Sequence, residues 1–476
     1  MRKASRRYNS GTVVSTSPTA VTLVRQLGVV SATALVVSNM IGTGIFTTSG
    51  FLAGQLGDPT LFLLIWIVGA VGALCGSFCF SELGVNFPSS GGEYVYLTRA
   101  YGPAWGFITG WVSFFAGFSA PIAVAALAFS DYLGFFFPSI KQANAAWTIG
   151  SGDWAFRFGG AQIVASALIA AFTALNIFGI ARVARIQNVL TAIKIAVVLS
   201  FVVLGFLAGT GQSSHFSMEA VRTTDTPIPQ QFAISLFWIY VSYSGWNAAT
   251  YVAEEIRNPA RTLPIALTYG TLLVAALYVA LNMVFLYAAP LEEMKGVVAI
   301  GSLTAQKLFG SEIAGVFSVL MALSLVSSVS AMVTIGPRVY YAMAKNRAFF
   351  ASAAIVHERY RTPVLAILAQ GACAMLMTLT PFPQLFFYIG MTLNFTAMLA
   401  VASIFVFRKR RPDWQRLKVV SFAWPLVPGI FVLMGGWMTV YGITLQSRVS
   451  LAAISTVLIG ALVYHFRIRS QVRQMA

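Results

Sequence analysis

Acidic residues are scarce in this chain. Of 476 residues only 14 are Asp or Glu, against 31 Lys and Arg, and charged residues together make up 9%. A water-soluble domain of this length would lack the polar surface to cover itself. With a mean hydropathy of +0.77, the solvent to reason about is a membrane. Histidine and cysteine are nearly absent, three of each. His215, His357 and His465 fall in loops or at the end of an apolar run, and no apolar run holds a carboxylate pair. An intramembrane enzyme needs paired acids or a zinc cluster, so the sequence predicts no enzyme, no bound metal and no cofactor. Cys75, Cys79 and Cys373 all lie within apolar runs, where they read as small packing residues rather than disulfide partners. The opening stretch MRKASRRYNSGTVVSTSPT has no short apolar core followed by a small-residue cleavage site. It predicts a retained, disordered tail.

Apolar runs, by contrast, are abundant. A hydrocarbon core about 30 Å thick needs about 20 apolar residues at 1.5 Å each. Runs near that length cover 29–53, 61–83, 105–137, 162–181, 189–208, 232–253, 265–288, 313–344, 364–380, 384–407, 422–445 and 451–466, with room for a fold-back in the long third and eighth. That predicts twelve transmembrane helices and an all-α membrane protein. Twelve crossings put both termini on one side, and 24 of the 31 basic residues fall on that side, Arg338 near the end of the eighth run among them, six on the other, and Lys194 deep within a run. Both tails are therefore expected in the cytosol. The same bias accounts for the net charge of +17 without nucleic acid, because the basic residues are spread over seven segments rather than gathered on one surface. The Arg408–Arg411 run is expected to touch membrane lipids.

Two runs are interrupted. The first, in SNMIGTGIF, carries Gly42-Thr43-Gly44 near its middle, and the sixth carries Ser242-Tyr243-Ser244-Gly245. Small residues are common where transmembrane helices pack, but here two such clusters occupy the same place in the first member of each half. The two lie five runs apart, an odd offset, as an inverted repeat requires. Broken helices expose backbone N–H and C=O groups that lipid cannot satisfy. N–H groups at a half-helix start near Gly44 suit a carboxylate, and carbonyls around Tyr240 to Tyr243 suit an ammonium. A ligand with both groups on one carbon is an α-amino acid.

The MIGTGIF run, YSGWN followed by YVAEEIRNPARTLPIAL, and FRKRRPD after the tenth run resemble the amino acid/polyamine/organocation superfamily, within it the L-type amino acid transporters and their bacterial relatives. The resemblance implies a LeuT-type 5+5 inverted-repeat fold with discontinuous helices 1 and 6 and two appended helices. The expected parts are a tail 1–26, a first repeat 27–210, a second repeat 228–408, a linker 409–421, helices 11 and 12 in 422–466, and a tail 467–476. It implies alternating access, with Gly42, Thr43 and Gly44 on the substrate carboxylate, carbonyls of Met40 or Ile41 and of Val241 on its ammonium, and Ser244 beside the side-chain pocket. Asn394 on the tenth run is a further candidate for the pocket wall. Well-known animal members have a large aromatic gate where this chain has Val241, which leaves open how the site is occluded or how large a side chain it accepts.

Lys194 lies nine residues from Arg185 at the cytosolic edge, about 13 Å deep at 1.5 Å per residue, whereas a lysine stem reaches only about 6 Å. In LeuT-type sodium symporters this region holds a sodium ion, and related L-type carriers have a lysine here. The resemblance thus implies a fixed ammonium joining helix 1 to helices 5 and 8, where Ser327, Ser328 and Ser330 offer hydroxyls, and no need for sodium. A titrating lysine that couples transport to protons is the alternative. Glu254 and Glu255 lie about 15 Å beyond the second break, too far to pair a cationic side chain, so a small to medium neutral L-amino acid is the expected substrate. Tyr240, Tyr243, Trp246 and Asn247 are candidate gate residues, with packing the alternative for the aromatics. A channel is the remaining rival. The loop 138–160 has no cysteine, so the disulfide-linked heavy chain of the animal carriers is not expected. The bacterial inner membrane is the expected location.

Overall fold

The computed structural model describes residues 25 and 27–469, apart from 90, 152–154, 179, 346 and 361. The predicted tails 1–26 and 467–476 fall largely outside them. The chain opens with α1 (Val29–Met40) and α2 (Thr43–Leu56), which together form one apolar stretch bent by 40° at Ile41-Gly42. A turn through Gly57 (φ +70°) leads to α3 (Pro59–Asn86), whose start is set by Asp58 accepting from the Leu61 amide at 2.7 Å with Pro59 in the first turn. A short helix α4 (Glu93–Tyr101) precedes α5 (Pro103–Leu133). The long third run hides no fold-back: α5 is continuous, with a π-helical stretch at Ser113–Ser119. The loop after it holds a two-stranded hairpin, β1 (Trp147–Ile149) against β2 (Phe156–Phe158).

Then come α6 (Gly160–Ile177), α7 (Ile180–Leu207) and α8 (Ile228–Tyr243), the last followed by a 3-10 segment (Ala248–Glu255). The long helices that follow are α9 (Pro259–Ala288), α10 (Ser311–Lys345), α11 (Val364–Met377), α12 (Phe382–Arg410), α13 (Leu426–Leu445) and α14 (Ser447–Ile468), with a short helix Ile300–Phe309 between α9 and α10. Among the described residues nine helices are long and apolar enough to cross a membrane, ten if α1 and α2 count as one. The sixth and ninth predicted runs correspond to shorter helices of 16 and 14 residues. The molecule is a helical, multi-pass membrane protein.

Packing divides the helices into two sets. One set joins α1 and α3 with α9, and α8 with α3; the other joins α5, α6 and α11 with α10, and α7 and α12 touch both. At the N-terminal end of α1, Leu27 lies beside Ile256 in a parallel bridge. Its amide donates to the Glu255 carbonyl at 2.9 Å, and its carbonyl accepts from the Arg257 amide at 2.9 Å. The start of α1 and the end of the 3-10 segment are thus one unit.

The predicted linker is pinned by a buried ion pair. Arg408 at the end of α12 grips Glu82 with two hydrogen bonds, Nε to Oε1 at 2.7 Å and an Nη to Oε2 at 2.6 Å. The same carboxylate accepts from Trp414 Nε1 at 2.8 Å and the Leu417 amide at 3.0 Å, so a charge with no exposed surface has a full set of donors. Removing one partner of such a pair strands the other charge in the interior, at a cost of about 3–5 kcal/mol. Glu82→Ala is therefore expected to lose most of its stability to chemical denaturation and to leave the linker mobile. Wild-type denaturation of that variant would show that the pair contributes nothing.

Candidate functional site

Where α1 stops at Met40, its last carbonyls find partners on other helices. Lys194 Nζ on α7 donates to the Ser38 carbonyl at 2.9 Å, and the Tyr278 hydroxyl on α9 donates to the Met40 carbonyl at 2.6 Å. No donor from another element reaches the Ile41 carbonyl among the described residues. Ile41 and Gly42 are extended, and α2 begins at Thr43, presenting the unspent amides of its first turn beside that carbonyl. A Cβ on Gly42 would meet nothing nearer than the Met40 carbonyl at 3.7 Å, so this position borders open space. Gly44 differs. A Cβ there would fall 2.3 Å from Ser242 Cα, so its hydrogen is what lets α2 and α8 touch.

The second interruption begins two residues later than the sequence predicts. Ser242 and Tyr243 remain helical, because the Ser242 hydroxyl bonds back to the Trp238 carbonyl at 2.8 Å and the helix bonds continue. The chain turns at Ser244–Asn247 and resumes as a 3-10 rather than an α-helix. Gly245 takes φ +99° with its α-carbon against the Asn39 backbone. The two breaks therefore lie side by side. Ser244 supplies its own cap: its hydroxyl and amide reach the Val241 carbonyl at 2.7 and 3.1 Å.

The breaks border a cavity of about 480 Å³. Met40, Gly42, Thr43, Gly44, Val241, Ser242 and Ser244 form one wall, Lys194, Thr191 and Ser328 a second, and Phe386 and Ile389 of α12 a third. Among its described residues Lys194 is the one charge, and it is 2% exposed. Ser31, Ala34, Leu35 and Ser38 line the cavity at helical spacing along α1, opposite Thr334 and Ile335 of α10. The cavity thus opens at the face bearing the start of α1, between α1 and the pair α7 and α10.

At the other end it is roofed by aromatic rings. Trp238 stacks on Phe51 at 4.5 Å and on Phe386 at 4.8 Å, and Phe382 stacks on both phenylalanines. Beyond Trp238 lies a separate cavity of about 130 Å³ with Gln55, Gln384 and Gln446 in its wall. Trp238 stands one turn before Val241, so the bulk absent at 241 is supplied at i−3. That spacing was the available signal.

Other predicted residues go elsewhere. Asn394 is five positions past Ile389, about 140° round the helix, and faces α13 instead of the cavity, donating to the Gly435 carbonyl at 3.0 Å and to Thr439 Oγ1 at 3.2 Å. Trp246 packs on Phe80 and Phe431. Tyr243 packs edge-on against Trp66 and at a tilt against Tyr278, and donates to the Trp66 carbonyl. The Tyr240 hydroxyl donates to the Leu393 carbonyl, Ser327 is buried in α10, and Asn247 turns toward Glu93, which the sequence did not single out. Phe386, Ile389 and Met332 in the wall were also missed, since which face of a long apolar helix looks inward is set by its neighbours.

A family model described as amino acid permease matches residues 27–464. The chain is 28% identical to the serine/threonine exchanger SteT of Bacillus subtilis over 92% of this chain and 95% of that protein. It is 27% identical to the large neutral amino acids transporter small subunit 2 of Mus musculus, and 26% identical to the Asc-type amino acid transporter 1 of the same species. Each of these matches covers 93% of this chain and 81% of the relative.

The two glycines of the first break should respond differently to a methyl group. Gly44→Ala drives a Cβ into the α8 backbone and is expected to lower the melting temperature in detergent by several degrees, as overpacking costs about 1–3 kcal/mol. Gly42→Ala should melt with the wild type. Equal melting of all three would remove Gly44 from the helix contact.

Proposed function

Because this chain belongs to the amino acid permease family, we propose that it is a secondary carrier of neutral L-amino acids, working by exchange and without sodium. The observation that carries the reading is the meeting of two helix breaks at one cavity whose sole charge among the described residues is Lys194. The amides at the start of α2, at the positive end of a helix dipole, are oriented to receive a carboxylate at Gly42, Thr43 and Gly44. The Ile41 carbonyl is the acceptor for the ammonium, and the Val241 carbonyl joins it when the Ser244 hydroxyl rotates away. The side chain then lies among Val241, Ser244, Phe386 and Ile389. With no acid among the described residues of this wall a cationic side chain finds no partner, so serine, threonine and the medium-sized neutral residues suit it best, in keeping with the activities of the relatives.

Lys194 takes the place of a cation at the end of α1. Its bond to the Ser38 carbonyl lies at the negative end of that helix, where an ammonium is stabilising. This supports a fixed strut over a proton carrier at this position. The Phe51, Trp238, Phe382 and Phe386 stack serves as the gate on the far side, opened when α2 and α8 move off α12. The twelve-crossing inverted repeat, cytosolic termini, a bacterial inner membrane and independence from a disulfide-linked partner complete the reading. The cavity then opens to the cytosol.

Proteoliposomes preloaded with serine and bathed in sodium-free medium test it. Labelled serine, threonine or leucine should enter faster than into empty vesicles, with lysine and glutamate excluded; a sodium requirement would overturn the proposal. Lys194→Ala loses a charge-assisted bond of about 1.5–3 kcal/mol and should slow exchange about tenfold to a hundredfold while eluting as a single species. Undiminished exchange would take Lys194 out of the mechanism.

A further inference from the structure

The mechanism uses none of the buried carboxyls among the described residues; Glu82 is closed on Arg408 and Asp131 on Gln142, which leaves Glu93. Glu93 begins α4, on the face where the cavity opens, and is 8% exposed. Its Oε1 accepts from Asn247 Nδ2 at 3.1 Å, and the same nitrogen lies 3.2 Å from the Tyr251 hydroxyl. Asn247 is three residues past Ser244, so this contact ties α4 to the segment that follows the second break. The approach is built into the loop. Gly91 and Gly92 take φ of +126° and +50°, and a Cβ on Gly92 would fall 2.8 Å from the Tyr251 ring.

The groups facing Glu93 are neutral: the phenols of Tyr96 on its own helix, Tyr240 on α8 and Tyr251 on the 3-10 segment, with Asn247 as donor. The first half of α5, packed on α4, carries no ionisable residue. On α12, also packed on α4, the charges are Arg408, closed on Glu82, and the terminal Lys409 and Arg410, while Tyr388 bonds Thr456. Among the described ion pairs none includes Glu93. Burial accordingly lifts the Glu93 carboxyl from 4.5 to about 7, the Asn247 bond opposing part of the rise.

The joint is also mechanically linked: the Leu27 bridge ties the 3-10 segment to the start of α1, so a closure of the cavity that carried α1 toward α7 and α10 would carry Asn247 and Tyr251 with it, off Glu93. Tyr251, 38% exposed, already borders solvent.

We propose that Glu93 is a proton site that links the carrier's cycle to acidity on the side where the cavity opens: the docked joint holds a proton on the carboxyl, and the parted joint gives it up to water. This deepens the transport reading and rests on it. A group whose bound-state affinity for protons is raised favours docking most strongly below the hydrated carboxyl's range, and loses that contribution as pH climbs to about 7. Acid therefore favours the arrangement open on this face, and alkali releases it.

Infrared titration of the purified protein reads the site directly. Wild type should show a carboxyl that ionises near pH 7, absent in Glu93→Gln and shifted upward in Asn247→Ala, which removes the opposing bond. Exchange by proteoliposomes should change several-fold as internal pH is taken from about 5.5 to about 8, and Glu93→Gln should flatten that profile at its acid limb. A Glu93 signal in the ordinary carboxylate range, or a Glu93→Gln profile matching wild type, would overturn the proposal. If wild type carries no amino acid at all, the transport reading fails while the infrared titration still decides the proton site.

Discussion

Every feature of the site follows from one constraint: a backbone group inside a bilayer must find a partner, since lipid supplies none. Stopping α1 at Met40 leaves carbonyls with no amide above them, and the molecule answers with side chains from two other helices, Lys194 to Ser38 and Tyr278 to Met40. Stopping α8 at Tyr243 is answered locally by Ser244. What remains unanswered at the start of α2 borders the cavity at Gly42, Thr43 and Gly44, while Ile41 is buried beside it, outside the cavity wall. Ligand recognition of this kind needs little side-chain chemistry, which is why a binding wall can be made of Gly, Thr, Val and Ser.

The same constraint determined what was legible in advance. Crossings, the first break and the depth of Lys194 follow from local arithmetic of length and polarity, and the structure places the bend at Gly42 and the lysine in the cavity wall. The second break was displaced by two residues because one side-chain bond, Ser242 to Trp238, extends the helix past residues that look like breakers. Asn394 was misplaced for a different reason. The rotation of α12 depends on its fit against Gly435 of α13, a contact 41 residues away. Glu93 was invisible because its partner is 154 residues distant and its peculiarity is an environment, not a motif.

The two ends of the cavity are built by different physics. On the far side, stacked rings form the roof, a contact that is apolar, broad and indifferent to pH. On the near, open side the 3-10 segment is joined to its neighbours by single polar contacts at Glu93 and by backbone bonds at Leu27. A wide apolar seal resists leakage, whereas a few directional bonds can be exchanged one at a time. The asymmetry suits a carrier whose two gates must never be open together.

The Leu27 bridge itself is made of amides and carbonyls, which any residue other than proline at 27 and 257 can supply. Side chains add to it, the Arg257 Nε donating to the Arg25 carbonyl at 3.3 Å and Leu27 packing on the core. The part of the coupling between the start of α1 and the end of the 3-10 segment that lies in the backbone is therefore silent to substitution, written in the part of the chain that carries no letters.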